Sequence, residues 1–378
     1  MQDSRMIDFL VKLIQKESVT PNECGIYDLI KDELSDFNII NCDKGGVKNL
    51  FLYKDFSKDS SVAKSSKIHL CFAGHIDVVP SGSGWKYPPF GGVIENDILY
   101  GRGVVDMKGG IASFIYAIKK IKNFNGILSI LLTSDEEGDG IYGTKIMLEH
   151  LKSIDLLPDF AIVAEPTSMD ILGDTIKIGR RGSINGILKI KGIQGHVAYP
   201  QKCINPIDLI APILPKLSNI TFDNGDENFA ESRLIITDIR SGMETVNVTP
   251  SELKIMFNVR NNPHTNQDSI KQYIASIFGE IPYSLVLKQS SYPFITHSNV
   301  LVESLSKAIK DTIGINSIAD TSGGTSDARY FSDFGVNVVE LGLINKTIHA
   351  VDECSKIDDI INLSSIFYYF INDMNKGF

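Results

Sequence analysis

The chain has 378 residues, of which 43% are hydrophobic and 22% are charged, and its formal net charge is −9. This acidic balance without a lysine or arginine cluster argues against nucleic-acid binding, and the apolar runs are too short to span a membrane. The length predicts two domains, and five scattered cysteines without a Cys-x-x-Cys pair indicate reduced thiols in a cytoplasmic protein.

The N-terminal part of the chain alternates apolar runs of strand length with segments of helical spacing. The spacing predicts helices at 1–16, 23–37, 110–122 and 144–151. Strands are predicted at 49–53, 67–72, 98–100, 126–132 and 160–164. An alternation of strands and helices predicts an α/β sheet that is covered by helices on both faces.

The pattern changes near residue 181. Period-two strands are predicted at 183–191, 233–239, 253–260 and 283–288, with helices at 206–217 and 267–278, which indicates a two-layer domain with a mainly antiparallel sheet. The α/β pattern returns with helices at 300–313 and 357–374 and a strand at 336–341. We therefore predict a discontinuous catalytic domain, residues 1–180 and 294–378, with residues 181–293 inserted between its two parts.

Acidic residues and one histidine follow the predicted strands of the first part. These residues are His75 and Asp77, Asp106, the adjacent pair Glu136 and Glu137, and Glu165. In α/β sheets, ligands bind outside the carboxyl ends of the strands, so these side chains are expected to meet at one edge. Neighbouring side chains on an extended segment point in opposite directions, which predicts that one of the two glutamates faces a metal while the other faces the substrate.

The candidate metal ligands combine imidazole with carboxylate, a mixture that suits zinc better than calcium or magnesium. They are His75, Asp106, Glu137, Glu165 and His349. Five ligands are too many for one tetrahedral ion but suffice for two ions that share a carboxylate, for which Asp106 in its glycine-flanked turn is the natural bridge. Asp77 is placed to orient His75, and Glu136 is then free to act as the general base.

Two other interpretations of the glycine-rich segments are weaker. Residues 101–106 read Gly-x-Gly-x-x-Asp, but a dinucleotide fingerprint needs a third glycine and a clear strand–helix–strand unit. Residues 322–327 could form a phosphate cradle, but the Gly-Lys-Ser/Thr ending is missing.

Four motifs resemble the M20 metallopeptidase and deacylase family, in order and along nearly the whole chain. They are residues 74–80 (GHIDVVP), 101–110 (GRGVVDMKGG), 135–138 (DEEG) and 165–166 (EP). Within that family, four further segments resemble deacylases that release succinate from a small, anionic, succinylated amino acid. These segments are residues 179–183 (GRRGS), 195–200 (GHVAYP), 322–329 (SGGTSDAR) and 345–349 (NKTIH).

The resemblance implies a fold and a metal centre. The fold is an α/β, mixed-sheet di-zinc hydrolase domain with an inserted two-layer α+β domain that serves as lid and dimerisation surface. Two zinc ions bind per chain, with cobalt accepted at one site. His75 and Glu165 hold one ion, Glu137 and His349 hold the other, and Asp106 bridges them.

The same resemblance assigns catalytic and substrate-binding residues. Glu136 is the acid/base residue, and His196 reaches across a homodimer to stabilise the oxyanion in the partner's site. Asp77, through its contact with His75, is counted with them as catalytic. The residues expected to contact the substrate carboxylates and amide are Arg180, Ser183, Tyr199, Asn247, Arg260, Gly324, Thr325 and Asn345. Arginine binds carboxylates bidentately, so Arg180 and Arg260 would attract an anion despite the negative overall charge.

Two alternatives remain open at the level of the sequence. One is another amidohydrolase of this family, such as an acetylornithine deacetylase or a dipeptidase. The other is a catalytically inactive relative that acts as a binding protein. A relative of that kind is expected to lack a ligand or the base, and this chain has all of them.

Overall fold

The computed structural model describes residues 2–59 and 67–376 of the chain. The chain divides into two compact units. The larger unit comprises Met1–Gly179, Ile295–Asp320 and Ser326–Phe378, and the smaller unit comprises Arg180–Phe294 and Thr321–Thr325. Their roles as catalytic domain and lid stay predictions.

Most helices lie close to the segments with helical spacing. Within the described residues they are α1 (Gln2–Ile14), α2 (Ile26–Glu33), α3 (Gly109–Lys119), α4 (Thr144–Ser153), α5 (Pro206–Ile210), α6 (Leu214–Leu217), α7 (Gln267–Phe278), α8 (Asn299–Ile313), α9 (Ala328–Asp333) and α10 (Ile357–Met374). None of these helices combines the length and the hydropathy that a membrane crossing requires.

The strands include all those predicted and several short ones that the sequence pattern did not indicate. Within the described residues they are β1 (Asn38–Asn41), β2 (Asn49–Asp55), β3 (Ile68–His75), β4 (Val93–Glu95), β5 (Ile98–Tyr100), β6 (Gly126–Thr133), β7 (Phe160–Val163), β8 (Thr175–Lys177), β9 (Gly179–Arg180), β10 (Gly182–Lys191), β11 (Gly195–His196), β12 (Ile220–Thr221), β13 (Arg233–Ser241), β14 (Val248–Thr249), β15 (Glu252–Asn261), β16 (Tyr283–Ser291), β17 (Phe294–Ile295), β18 (Ile318–Asp320), β19 (Asn337–Glu340) and β20 (Cys354–Lys356).

The larger unit is built on a mixed sheet. Its strand order in the described residues is β1-β2-β6-β3-β7-β19-β8-β18. The central strands β6, β3, β7 and β19 run parallel, whereas β1 and β2 pair antiparallel at one edge. Every residue of β3 is buried, as expected for a central strand with helices packed on both of its faces. Among these helices, α10 packs on α3 and α8, while α4 packs on α9.

The smaller unit has two layers. Its antiparallel sheet has the order β12-β13-β15-β10-β16. Burial alternates along β15, and its buried face packs against α5, α6 and α7 in one apolar core. Asn266 caps α7 by accepting hydrogen bonds from the amides of Asp268 and Ser269, an interaction worth about 1 kcal/mol. This unit and the mixed sheet of the larger unit confirm the predicted fold class.

The helix predicted at 206–217 is divided in the structure. α5 ends at Ile210 and α6 begins at Leu214. Pro212 lies in the break and Pro215 lies in the first turn of α6. Proline has no amide hydrogen and clashes with the preceding turn, so it ends one helix and is tolerated at the start of the next. The apolar spacing alone did not account for these prolines.

A buried histidine in the central sheet gives a test of stability against pH. His69 in β3 is 6% exposed, and its Nε2 lies 2.8 Å from Ser129 Oγ on β6. Burial lowers the pKa of His69 to about 4. Because this value lies below the unfolded value of about 6.5, the stabilisation is complete above pH ~6.5 and is lost as the pH falls towards 4.

We expect His69→Gln to lose less stability in acid than the unmodified chain. Between pH 7 and pH 5 the difference in unfolding free energy should be about 2 kcal/mol. The free energy of unfolding of the larger unit is measured by urea titration, with the fluorescence of Trp85, the single tryptophan, as the signal. The exposed His297 supplies the control His297→Gln. Equal pH dependence in both variants would contradict the assignment to His69.

Candidate dinuclear metal centre

Three adjacent strands deliver polar side chains to one edge of the mixed sheet. His75 is the last residue of β3, which lies between β6 and β7. Glu137 lies in the turn after β6, and Glu165 lies two residues beyond the end of β7. Because the three strands are parallel, their carboxyl ends meet at the same edge.

Asp106 joins the imidazoles of two histidines. Its Oδ1 lies 3.0 Å from His75 Nε2, and its Oδ2 lies 3.2 Å from His349 Nε2. Glu165 Oε1 lies 3.8 Å from His75 Nε2, and Glu137 Oε1 lies 2.8 Å from His349 Nε2. The five predicted ligands therefore form one cluster, with a histidine and a glutamate on each side of the Asp106 carboxylate.

The two adjacent glutamates are not extended, and the sequence prediction is wrong on this point. Glu136 and Glu137 lie in a turn, where the amide of Glu136 donates to Asp77 Oδ1 at 3.4 Å and the amide of Glu137 donates to Asp77 Oδ2 at 3.1 Å. The Asp77 carboxylate thus accepts hydrogen bonds from both amides and holds the chain in this turn. Both side chains lie near His75, Glu137 in a group with Asp106 and Glu136 in a group with Glu165.

Asp77 also contacts His75, mainly through its main chain. The carbonyl oxygen of Asp77 lies 2.9 Å from His75 Nδ1, whereas its Oδ1 lies 3.7 Å away. Hydrogen bonding at Nδ1 leaves Nε2 directed at Asp106, the orientation that a metal-ligating imidazole needs. Burial raises the pKa of Asp77 to about 6, against the influence of His75 and the turn amides.

The buried groups of the cluster strongly perturb one another. Burial, followed by the neighbouring Asp106 and Glu136, raises the pKa of Glu165 well above its ordinary value. Burial disfavours the charged form of His75, but the hydrogen bond to Asp106 and nearby carboxylates outweigh it and raise the pKa of His75. The hydrogen bonds to Asp106 and Glu137 raise the pKa of His349 to about 10.

Glu136 has the environment of a proton-transfer group. Burial raises its pKa to about 8, with further contributions from Asp327, Glu137 and Asp106 and an opposing one from His75. A carboxyl group that titrates near neutral pH can both accept and donate a proton. A nearby cation would favour the charged form and lower this pKa.

The donor set fits two metal ions. Three carboxylates and two imidazoles converge, and ligand atoms of His75, Asp106 and Glu137 all lie within 4.8 Å of one another. Neighbouring carboxylates raise the pKa of both histidines, so the cluster is rich in negative charge that divalent cations can balance in place of protons. These ligands therefore support a dinuclear metal site.

The predicted substrate residues of the smaller unit form two groups. In the first, Arg180 is 8% exposed and donates from Nη1 to the carbonyl of Ser322 at 3.0 Å. Gly323, beside the guanidinium, has φ +98°, a conformation that other residues rarely adopt and that favours glycine. Gly324 and Thr325 follow in the same turn and are exposed.

Ser183 and Arg260 belong to the same unit and are cross-strand partners on β10 and β15. Arg260 Nη1 is buried and has no hydrogen-bond partner among the residues that the structure describes. Burial, with the neighbouring Arg181, lowers the pKa of Arg260. A buried guanidinium nitrogen that lacks an acceptor is suited to an incoming carboxylate.

The second group lies at the short ribbon of β11 and β14, where His196 is on β11 and Tyr199 and Asn247 lie just outside the two strands. The rings of His196 and Tyr199 meet edge-to-face with their centroids 5.9 Å apart. The amide of Val197 donates to the carbonyl of Asn247 at 3.2 Å, and Asn247 lies in the turn directly before β14. His196 and Tyr199 are both exposed.

Asn345 belongs to the larger unit, and the structure adds two residues there that the sequence did not single out. Asn345 donates from Nδ2 to Met169 Sδ at 3.3 Å. Arg102 and Glu353 form a buried ion pair at 2.8 Å beside the segment that carries Asp106. Glu353 lies four residues after His349. Its partners include main-chain amides, which nearly every residue type has, so no sequence pattern indicates its role.

The sequence matches known proteins along nearly its whole length. A succinyl-diaminopimelate desuccinylase from Helicobacter hepaticus is 56% identical, with 97% of this chain and 96% of that protein covered. A succinyl-diaminopimelate desuccinylase from Nautilia profundicola is 51% identical, with 98% and 100% covered.

The fold is shared with solved structures of lower identity. A tripeptidase from Staphylococcus aureus has a TM-score of 0.80 at 20% identity, and 99% of each chain is covered. A dinuclear metal-binding peptidase of the M20 family from Bacillus subtilis has a TM-score of 0.74 at 14% identity, with 100% of this chain and 99% of that chain covered. The model of peptidase family M20/M25/M40 matches residues 71–373, and the chain belongs to this family.

Proposed function

We propose that the chain hydrolyses N-succinyl-LL-2,6-diaminopimelate to succinate and LL-2,6-diaminopimelate, a step of bacterial lysine and cell-wall diaminopimelate biosynthesis. The observation that carries this proposal is the cluster of five ligands around Asp106, with Glu136 beside it. The desuccinylase relatives, at 51–56% identity over nearly the full length, support the choice of substrate.

The residues that would hold two zinc ions follow from the two sides of the cluster. His75 and Glu165 hold one ion, Glu137 and His349 hold the other, and Asp106 is shared. When bound, zinc supplies Lewis acidity for hydrolysis of the amide, and cobalt is expected to replace it at one site. Imidazole and carboxylate ligands in this proportion favour zinc over calcium or magnesium.

Glu136 is the proton-transfer residue in this proposal. Its carboxylate takes a proton from the attacking water as the oxygen bonds to the amide carbon. It then gives a proton to the amine nitrogen as the carbon–nitrogen bond breaks, so that succinate and the free amine are released. Asp77 supports this step by fixing the turn that carries Glu136 and by hydrogen bonding to His75.

The arginines of the smaller unit supply the local positive charge that the acidic chain needs for an anionic substrate. Arg260 offers a buried nitrogen without an acceptor in the described residues, and Arg180 is held beside a glycine turn. We assign the substrate carboxylates to these two residues. Contacts to the rest of the substrate are proposed for Ser183, Tyr199, Asn247, Gly324, Thr325 and Asn345.

His196 is assigned to oxyanion stabilisation in a homodimer that is formed through the smaller unit. Its exposed side chain lies on β11 with the ring of Tyr199 beside it, where it is accessible to a second subunit. A hydrogen-bond donor aimed at the developing oxyanion is a common source of rate acceleration in acyl transfer. We place the reaction in the cytoplasm, where the five free cysteines stay reduced.

The expected result of a substrate assay is release of succinate from N-succinyl-LL-2,6-diaminopimelate by the purified chain. Activity should disappear on chelation and return with zinc, and metal analysis should find close to two ions per chain. N-acetylornithine and a dipeptide serve as competing substrates in the same preparation. Preference for either would favour a different amidohydrolase of the family, and activity without metal would contradict the mechanism.

A further inference from the structure

A buried carboxylate that is not a candidate ligand organises the segment carrying Asp106. Glu353 is fully buried, and its two oxygens accept four hydrogen bonds within the described residues. Oε2 accepts from Arg102 Nη1 at 2.8 Å and from the amide of Gly103 at 3.0 Å. Oε1 accepts from the amides of Val105 at 2.8 Å and Asp106 at 3.2 Å. The carboxylate thus fixes the main chain of the bridging ligand.

The same ion pair also contacts the segment that carries His349. Arg102 Nη2 donates to the carbonyl of His349 at 3.3 Å and to the carbonyl of Ser81 at 3.3 Å. The amide of Gly101 donates to the carbonyl of Glu353 at 3.0 Å. The side chains of Arg102 and Glu353 therefore join the Asp106 segment to the His349 segment by binding main-chain atoms of both.

The two halves of the cluster differ in what holds them. His75 ends a central strand paired on both sides, and Glu165 follows the adjacent strand, so the sheet itself positions both. Asp106 lies in an irregular segment with φ −122° and ψ 92°. His349 has φ 58° and lies outside any strand. His349, and with it the Glu137–His349 side, therefore depends on local contacts rather than on sheet pairing, as does the shared Asp106.

We infer that Glu353 and Arg102 are positioning residues for the metal ion on the Glu137–His349 side of the centre. The inference rests on the dinuclear site of the proposed function. The ion pair sets the separation between the Asp106 and His349 segments, and the affinity of that side follows from it. The His75–Glu165 side does not depend on the ion pair to the same degree.

Glu353→Gln is a sharp test because it keeps the shape of the side chain. Glutamine has one acceptor oxygen and one NH₂ group. Two of the four groups that donate to the Glu353 carboxylate would therefore face this NH₂ group, which cannot accept a hydrogen bond. Partners that orient metal ligands typically change metal affinity by about 10–100-fold. We expect one zinc ion to bind about 10–100-fold more weakly, while the other ion keeps the affinity found in the unmodified chain.

The measurement is calorimetric zinc titration of the full chain after chelator treatment. Glu23→Gln is the matched control, since Glu23 is a largely buried carboxylate that accepts from Lys48 Nζ and from the amide of Tyr27 rather than from the ligand segments. Two ions with unmodified affinity in Glu353→Gln would overturn the inference, and so would equal weakening of both ions in a folded variant.

A second variant keeps the test decisive if Glu353→Gln fails to fold, as judged by circular dichroism. Arg102→Lys retains the charge next to Glu353 but removes the planar fork that also reaches the carbonyls of His349 and Ser81. We expect Arg102→Lys to weaken the binding of the same single ion. Unmodified affinity for both ions, or equal weakening of both, would overturn the inference here as well. Excess zinc should restore most of kcat in the affected variant, which loss of fold would not allow.

The unmodified chain separates this inference from the proposed function. If it binds two zinc ions but releases no succinate, the substrate assignment fails while the variants still test the positioning role. If it binds fewer than two ions, the dinuclear proposal itself fails. A selective loss of one ion in Glu353→Gln, against a two-ion unmodified chain, supports the inference whatever the substrate.

Discussion

Glu136→Gln is expected to lower kcat for succinate release by about 10³-fold while both metal ions stay bound. The substitution keeps the size of the side chain and removes the group that accepts and donates the proton. In the structure Glu136 lies beside His75 and Glu165, but each side of the proposed ligand cluster already has its own histidine and glutamate without it. Its loss should therefore act on the chemical step and leave the affinity for zinc nearly unchanged.

Steady-state kinetics together with metal analysis of the same sample checks this expectation. The matched control is Asp139→Asn, which makes the same carboxylate-to-amide change at an exposed position of the same turn. The control should keep both the ions and the activity. Near-normal turnover in Glu136→Gln would remove the proposed proton-transfer role, and loss of an ion would make Glu136 a ligand instead.

The part of the site that belongs to the sheet could be predicted from the sequence. His75, Glu137 and Glu165 each follow a buried apolar run, and parallel strands bring their carboxyl ends to one edge. Asp106 and His349 lie outside the central strands, and their assignment depended on the glycine-flanked turn of Asp106 and on the resemblance to a family. The structure places both next to the strand-end residues.

Features that depend on contacts between distant segments could not be predicted. The turn at Glu136 and Glu137 forms because the carboxylate of Asp77, some sixty residues earlier, binds both amides. The role of Glu353 arises from amides about 250 residues away along the chain. Hydrogen bonds to main-chain amides impose no side-chain spacing, so neither feature has a sequence pattern.

Asp106 is the residue whose replacement should have the widest effect on the centre. Its two oxygens contact different histidines, so Asp106→Asn removes the negative charge shared by both sides and replaces one oxygen by a nitrogen that cannot serve as a ligand. We expect zinc affinity to fall on both sides by more than the ~100-fold seen for partners of ligands. Succinate release should fall to background.

The metal-free protein gives an independent measure of the same change. Hydrogen bonds to Asp106 and Glu137 raise the pKa of His349 to about 10, so loss of the Asp106 charge should move this pKa down towards its ordinary value. An NMR titration of His349 after chelation measures the shift, with the assignment made by comparison with His349→Gln. The direction follows because a carboxylate favours the charged imidazolium and a neutral amide favours it less.

Asp352→Asn is the control for the Asp106 variant, because it makes the same change three residues from His349. Asp352 accepts from the amide of Lys86 at 2.8 Å and has φ 58°, a conformation that asparagine also adopts readily. The control should bind two zinc ions and keep the raised pKa of His349. If Asp106→Asn likewise bound two ions with unchanged affinity, Asp106 would not be a bridging ligand. The two sides of the cluster would then be separate single-ion sites, because no other carboxylate of the cluster contacts both histidines within 4.0 Å in the described residues.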